Sequence, residues 1–265
     1  MSIYKCFPGG RYKALTLSYD DGREEDRRLI KLLNRKGIKG TFNLNSGWLD
    51  QPDKIHREEV KELYQGHEVA CHTFSHPTLE RCPITEVVEE IIRDRKELES
   101  IVGYPVRGMA YPNGSHNQNI VKLLPSLGIE YGRIVGDTDD FGIPKDYLTW
   151  KATCHHNHNL MDNARRFVET AKSQYLFLMY VWGHSYEFKT QDNWELMEGF
   201  ADYIGGREDV WYATNIEIVD YMKLLDNLKF SAAHDMVYNP SAEAAWITAN
   251  GKHIEVKGGA MEILR

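Results

Sequence analysis

The chain is 265 residues long, with 32 Lys+Arg against 39 Asp+Glu and a formal charge of −7 when His is neutral. It contains no Lys/Arg-rich run, which argues against nucleic acid or an anionic membrane as a partner, since both select a basic face. Apolar residues make up 42% and charged ones 27%, values of a globular protein with a sizeable core and too hydrophobic for disorder.

The length suits one α/β barrel of roughly 200–250 residues plus an appendage. The longest apolar stretch, 175–182, falls far short of the about 20 residues that cross a bilayer. Residues 1–11 have no apolar centre between Lys5 and Arg11 and do not read as a secretory signal, so the cytoplasm is the expected compartment. Cys6, Cys71, Cys82 and Cys154 form no CxxC pair and are expected to be free thiols.

In chain order, a β-rich run at 13–19 precedes a charged helix at 23–36 that carries Leu29, Ile30, Leu32 and Leu33 and stops at Gly37. A strand at 38–45, a helix at 54–65 closed by Gly66 and a strand at 67–73 repeat the unit. A helix at 86–102 ends at Gly103, followed by a strand at 106–111, a helix at 119–127 and a strand at 129–135. Residues 136–159 show no period and read as a long functional loop. A helix at 162–172, the strand 175–182, a helix at 194–203, a strand at 209–213 and a helix at 216–228 complete the alternation.

Seven strands alternating with helices imply a parallel sheet with right-handed crossovers, so chemistry belongs at the C-terminal strand ends. From Lys229 onward the Asn239-Pro240, Asn250-Gly251 and Gly258-Gly259 steps punctuate short runs, a β-hairpin-like appendage. The expected organisation is a barrel over 1–228 and an appendage over 229–265.

The first strand ends in Asp20-Asp21-Gly22. Adjacent residues of an extended chain face opposite sides, so the two acids are expected to do different work, or to form a turn and a helix cap. The third strand ends in His72-Thr73-Phe74-Ser75-His76-Pro77, two histidines at i and i+4. On one helical turn such a pair can grip a metal, with Pro77 ending the turn. Asp21 with His72 and His76 would supply two nitrogens and one oxygen and leave positions open for water and substrate.

These motifs, with the Arg107-to-Gly114 run and Trp182-Gly183-His184, resemble in order the polysaccharide deacetylase family, whose catalytic module is the NodB homology domain (carbohydrate esterase family 4-like). The resemblance runs from about Lys13 to Leu228. It implies a distorted (β/α)7 barrel and hydrolysis of the N-acetyl group of an N-acetylated amino sugar or saccharide. It also implies Asp21, His72 and His76 as ligands of a divalent metal, with Zn2+ best suited and Co2+, Ni2+ or Mn2+ as alternatives. Asp20 would be the general base and His184 the general acid that protonates the leaving amine.

Tyr111 would give its backbone N–H to the oxyanion, Arg107 would hold the catalytic aspartate, and Asp140 would orient His184. Many members read Arg-x-Pro-Tyr, whereas here Arg107 and Tyr111 are four apart and the proline follows the tyrosine. Trp182 would wall the acetyl pocket. The Cys154-His155-His156-Asn157-His158 cluster reads as a loop over the mouth with His155 or His156 near the substrate, the alternative being a structural zinc site. Two other functions are a hydrolase of small cyclic amides or imides, whose members tend to lack the metal ligands, and a non-catalytic carbohydrate-binding barrel, which would lack the base or the acid.

Overall fold

The computed structural model describes residues 2–264. A distorted (β/α) barrel is built from β2 (Lys13–Asp20), β3 (Thr41–Leu44), β4 (Glu68–Cys71), β5 (Gly108–Ala110), β6 (Tyr131–Asp137), β7 (Trp150–Ala152), β8 (Cys154–His155) and β9 (Phe177–His184), all parallel; β1 (Ile3–Cys6) lies outside it. The crossovers carry α1 (Asp26–Arg35), α2 (Val60–Leu63), α3 (Ile84–Val102), α4 (Gln118–Leu123) and α5 (Leu160–Glu169). α6 (Tyr186–Thr190), α7 (Trp194–Ile204), β10 (Val210–Tyr212) and α8 (Asn215–Asn227) follow β9.

The stretch 136–159, expected to be a loop, supplies the stave that closes the ring. β7 pairs with β6, β8 pairs with β9, and between them the Thr153 N–H donates to the Tyr180 carbonyl at 2.8 Å. Strands of three and two residues leave no readable period. The 209–213 segment, counted from the sequence as the seventh strand, instead yields β10, which among the described residues pairs only with Lys13–Leu15 of β2, while β3 pairs with Ser18–Asp20.

The helix expected over 54–65 shrinks to a 3-10 turn, Arg57–Glu59, and the single turn of α2. The capping box of His56 and Glu59 starts it late, because residues 50–55 are used in a turn that bridges Lys54 to Arg23. Pro125 tightens the end of the 119–127 helix into 3-10 geometry, and Gly128 ends it at φ 71°.

Outside the barrel the ladders are antiparallel. β13 (Ala245–Ala249) pairs with β14 (Lys252–Val256) and with β1, so the N-terminal strand joins the C-terminal segment. β11 (Lys229–Phe230) and β15 (Met261–Ile263) flank β12 (Met236–Tyr238). Side chains of β2 and β9 that face the helices, such as Leu15, Leu17, Met179 and Val181, are fully buried in the main apolar core.

The barrel interior is polar: Ser18, Asp20, Asn43, His72 and Arg133 are all buried. A buried polar group is costly unless it is hydrogen-bonded, so this interior specifies a network of bonds that converges on the C-terminal strand ends. No described helix is long and apolar enough to cross a membrane.

Candidate active site

The first carboxylates sit where β2 ends. Asp20 is 2% exposed. Its Oδ1 accepts from Asn43 Nδ2 at 2.8 Å, and its Oδ2 accepts from the guanidinium of Arg133. Burial alone would raise its carboxyl pKa, but Arg133, His72, His184 and the Asn43 amide outweigh it and hold the group below the usual carboxylate range. Asp21 leaves the strand at φ 80°, with its N–H bonded to the Asn43 carbonyl at 3.0 Å. That turn overrides the strand alternation expected of the pair. Both acids reach the same imidazole, with His72 Nε2 at 3.7 Å from Asp20 Oδ2 and 3.8 Å from Asp21 Oδ1.

His72 is held on three sides. Its Nδ1–H donates to the Ala110 carbonyl at 2.8 Å, and its backbone N–H bonds the Leu44 carbonyl and Asp94 Oδ2. The Nδ1 bond fixes the tautomer and leaves the Nε2 lone pair facing Asp21. The expected helical turn between the two histidines is absent. Thr73 at φ 64° and His76 at φ 61° bend the loop instead, bringing the rings to 4.7 Å between centroids and His76 Nε2 to 3.9 Å from Asp21 Oδ1. Burial lowers both histidines, His72 to about 4, despite the two aspartates, so neutral lone pairs are available.

One donor atom from each of Asp21, His72 and His76 lies within 4.8 Å of the other two, and Asp21 Oδ1 is buried without a hydrogen-bond partner among the described residues. An orphaned carboxylate oxygen facing two imidazole lone pairs fits a divalent cation.

Opposite this triad, His184 Nε2 stands 4.0 Å from Asp20 Oδ2. Its Nδ1 lies 3.5 Å from Glu187 Oε1, and its backbone N–H donates to Glu187 Oε2. Burial would lower the imidazolium pKa, but Glu187, Asp20 and Asp21 raise it above the ordinary value. Glu187 also faces His155 Nε2 at 3.0 Å and His156 Nε2 at 3.1 Å, and the three imidazoles hold its carboxyl far below the usual range against burial.

His155, His156 and Glu187 would also satisfy the spacing of a metal set. The Asn157 N–H, however, donates to His155 Nδ1 at 3.1 Å, which puts the proton of a neutral ring on Nε2 and makes it a donor to Glu187 rather than a ligand. His156 is fully buried between Phe188 and Tyr19, and Gly183 admits it: a Cβ there would lie 2.0 Å from His156 Nδ1.

Three expected roles meet different surroundings. Arg107 lies outside the site, bonded to Asp220 and Glu130; the arginine on Asp20 is Arg133, one strand further on. Asp140 is exposed and its Oδ1 caps the Phe141 N–H; the carboxylate beside His184 is Glu187. The Tyr111 N–H is committed to the Arg133 carbonyl at 2.9 Å in the sheet, so it is not free for an oxyanion. Trp182 is 8% exposed, with its Nε1–H on Asp137 and the Arg133 guanidinium over its ring at 4.4 Å, a wall beside Asp20.

Sequence reasoning missed Arg133, Asn43, Glu187 and Asp94. Asp94, fully buried with its carboxyl pushed up to about 7, accepts from the Ser46 and His72 N–H groups. It stands in the apolar stripe Val87, Ile91, Asp94, Leu98 of α3, a legible signal that an acid there is buried for a purpose.

Residues 9–132 match the family model described as polysaccharide deacetylase. The chain is 28% identical over 132 residues to a peptidoglycan-N-acetylglucosamine deacetylase of Listeria monocytogenes, covering 49% of this chain and 27% of that protein. It is 27% identical over 121 residues to a chitooligosaccharide deacetylase of a Bradyrhizobium species, covering 44% and 53%. The chain thus spans about a quarter to a half of the length of these curated relatives. The CE4 domain of a multidomain xylanase from the hindgut metagenome of Trinervitermes trinervoides shares the fold, with a TM-score of 0.57 at 15% identity over 80% of this chain and 92% of that one. The matched stretch, a little under half of the chain, includes Asp20, Asp21, His72 and His76, and over it the chain is similar to the polysaccharide deacetylase family.

Proposed function

We propose that this chain hydrolyses the N-acetyl group of an N-acetylated amino sugar or saccharide, releasing acetate and a free amine. The observation that carries the reading is the placement of a charged carboxylate, Asp20, and a proton-rich imidazole, His184, on either side of the Asp21, His72, His76 triad. The relatives' names, deacetylases of peptidoglycan and chitooligosaccharide, support the substrate class.

Asp21, His72 and His76 would hold a divalent metal, with Zn2+ the best suited to this donor set. Such an ion supplies polarisation of the acetyl carbonyl and acidification of the attacking water. Asp20 takes the water's proton as general base; Arg133 and Asn43 keep it ionised and aimed. His184 gives its Nε2 proton to the departing nitrogen, without which an amine leaves poorly. Glu187 is a positioning residue that accepts from the His184 backbone N–H and, with its carboxylate 3.5 Å from Nδ1, favours the charged form of the ring. Trp182 lines the acetyl side, and His155 acts through Glu187.

The catalytic unit would be the barrel of 1–228, with 229–265 an appendage that borrows β1. The cyclic amide and silent-barrel readings have less support, because Asp21, His72 and His76 stand together with Asp20 and His184 beside them. Acetate release from a panel of N-acetylated mono- and oligosaccharides, with and without Zn2+, tests the proposal. Metal-free protein with full activity, or no release from any member of the panel, overturns it.

A further inference from the structure

Arg23 stands two residues beyond Asp21 at the mouth of the barrel, partly buried. Its guanidinium lies over the ring of Tyr186 at 4.9 Å, and that ring is 5.3 Å from the His184 ring. Among the described residues it makes no ion pair, and its Nε is buried without a hydrogen-bond partner.

The neighbouring acids are already committed. Glu24 and Glu25 both pair with Lys189, Asp26 accepts from Tyr64, and Glu59 holds Arg27. The backbone of Arg23 instead bridges to Lys54, a second cation, which is 7% exposed and whose ammonium donates to the Asp21 carbonyl at 2.8 Å and lies over the Trp48 ring at 4.2 Å.

 Two cations thus sit side by side at the mouth of a site in a chain of net charge −7. Lys54 has the Asp21 and Asp26 charges near it, whereas Arg23 pairs with no carboxylate among the described residues, and a guanidinium suits a carboxylate through two parallel hydrogen bonds.

We infer that Arg23 receives a carboxylate carried by the substrate, so that the preferred substrate is an N-acetylated amino sugar bearing an acidic group. This rests on the hydrolase reading above. Tyr186 holds the guanidinium plane beside His184, so the carboxylate would anchor the sugar ring while its acetamido group reaches Asp20 and His184.

The test compares an N-acetylhexosamine carrying an O-linked carboxylate with the same sugar as its carboxamide. The acid should show kcat/KM at least about tenfold above the amide in the wild type, mainly through KM, and Arg23→Gln should bring the ratio to about one, with Arg23→Lys in between. Equal values in the wild type, or an equal loss on both substrates in Arg23→Gln, would overturn the inference. Equilibrium binding of both compounds to metal-free protein separates it from the hydrolase reading. If neither compound is hydrolysed, that reading fails, while tighter binding of the acid that Arg23→Gln abolishes still supports the carboxylate site. If Arg23→Gln relieves inhibition by acetate alone, the anion held is the product and the substrate assignment falls.

Discussion

Arg133 reaches from β6 to Asp20 at the end of β2, and the two side chains form an ion pair that is 1% and 3% exposed. A buried pair of this kind is costly to break from one side, because the remaining charge loses its compensation. Arg133→Met should therefore destabilise the protein by about 3–5 kcal/mol and raise the Asp20 carboxyl pKa. Arg107→Ala, at a partly exposed pair, should cost less than about 1 kcal/mol. Thermal melts and kcat/KM of the two variants check this; a larger activity loss in Arg107→Ala would return the positioning role to that residue.

Metal binding and proton removal are assigned to different carboxylates. Asp20→Asn should retain one divalent ion per chain while activity falls roughly 10²-fold or more, whereas His76→Ala should lose the ion. Elemental analysis of dialysed protein gives the count. The opposite pattern, with the ion lost in Asp20→Asn and kept in His76→Ala, would exchange the roles.

For His184 the discriminating quantity is dependence on the leaving group. An amine needs a proton to depart and an activated phenolate does not, so His184→Ala should lower hydrolysis of an N-acetyl sugar by roughly 10²-fold or more and an activated acetyl ester far less. Equal losses on the two substrates would make His184 a binding or structural residue.

Protonation can be followed without turnover. In chelator-treated protein the His184 imidazole should titrate above 6.5 and that of His72 at about 4. Glu187 contributes negative charge beside His184, so Glu187→Gln should move the His184 midpoint to lower pH and leave His72 where it is. Folding therefore gains stability from His184 below pH 6.5, and that gain is lost as pH rises through its folded midpoint. Imidazole NMR titration reads both midpoints; an unchanged His184 midpoint in Glu187→Gln would remove Glu187 from the positioning role.

The sequence by itself determined most of the alternation of strands and helices, and it singled out Asp20, Asp21, His72, His76 and His184, which the fold gathers at the C-terminal strand ends. Those features are local: glycine stops, periodic apolar positions and short runs in which reacting groups follow one another along the chain. Only the tertiary structure decided which partners these groups meet. Arg107 precedes β5 and turns outward to Asp220, while Arg133 lies within β6 and faces the barrel interior, a difference set by the phase of each strand in the closed ring. The seventh stave came from strands too short to show a period, and Glu187 from a five-residue helix no periodicity reveals. The Tyr111 N–H was spent on the sheet because β5 and β6 are neighbours, and adjacency between strands is a property of barrel closure that no single stretch of sequence contains.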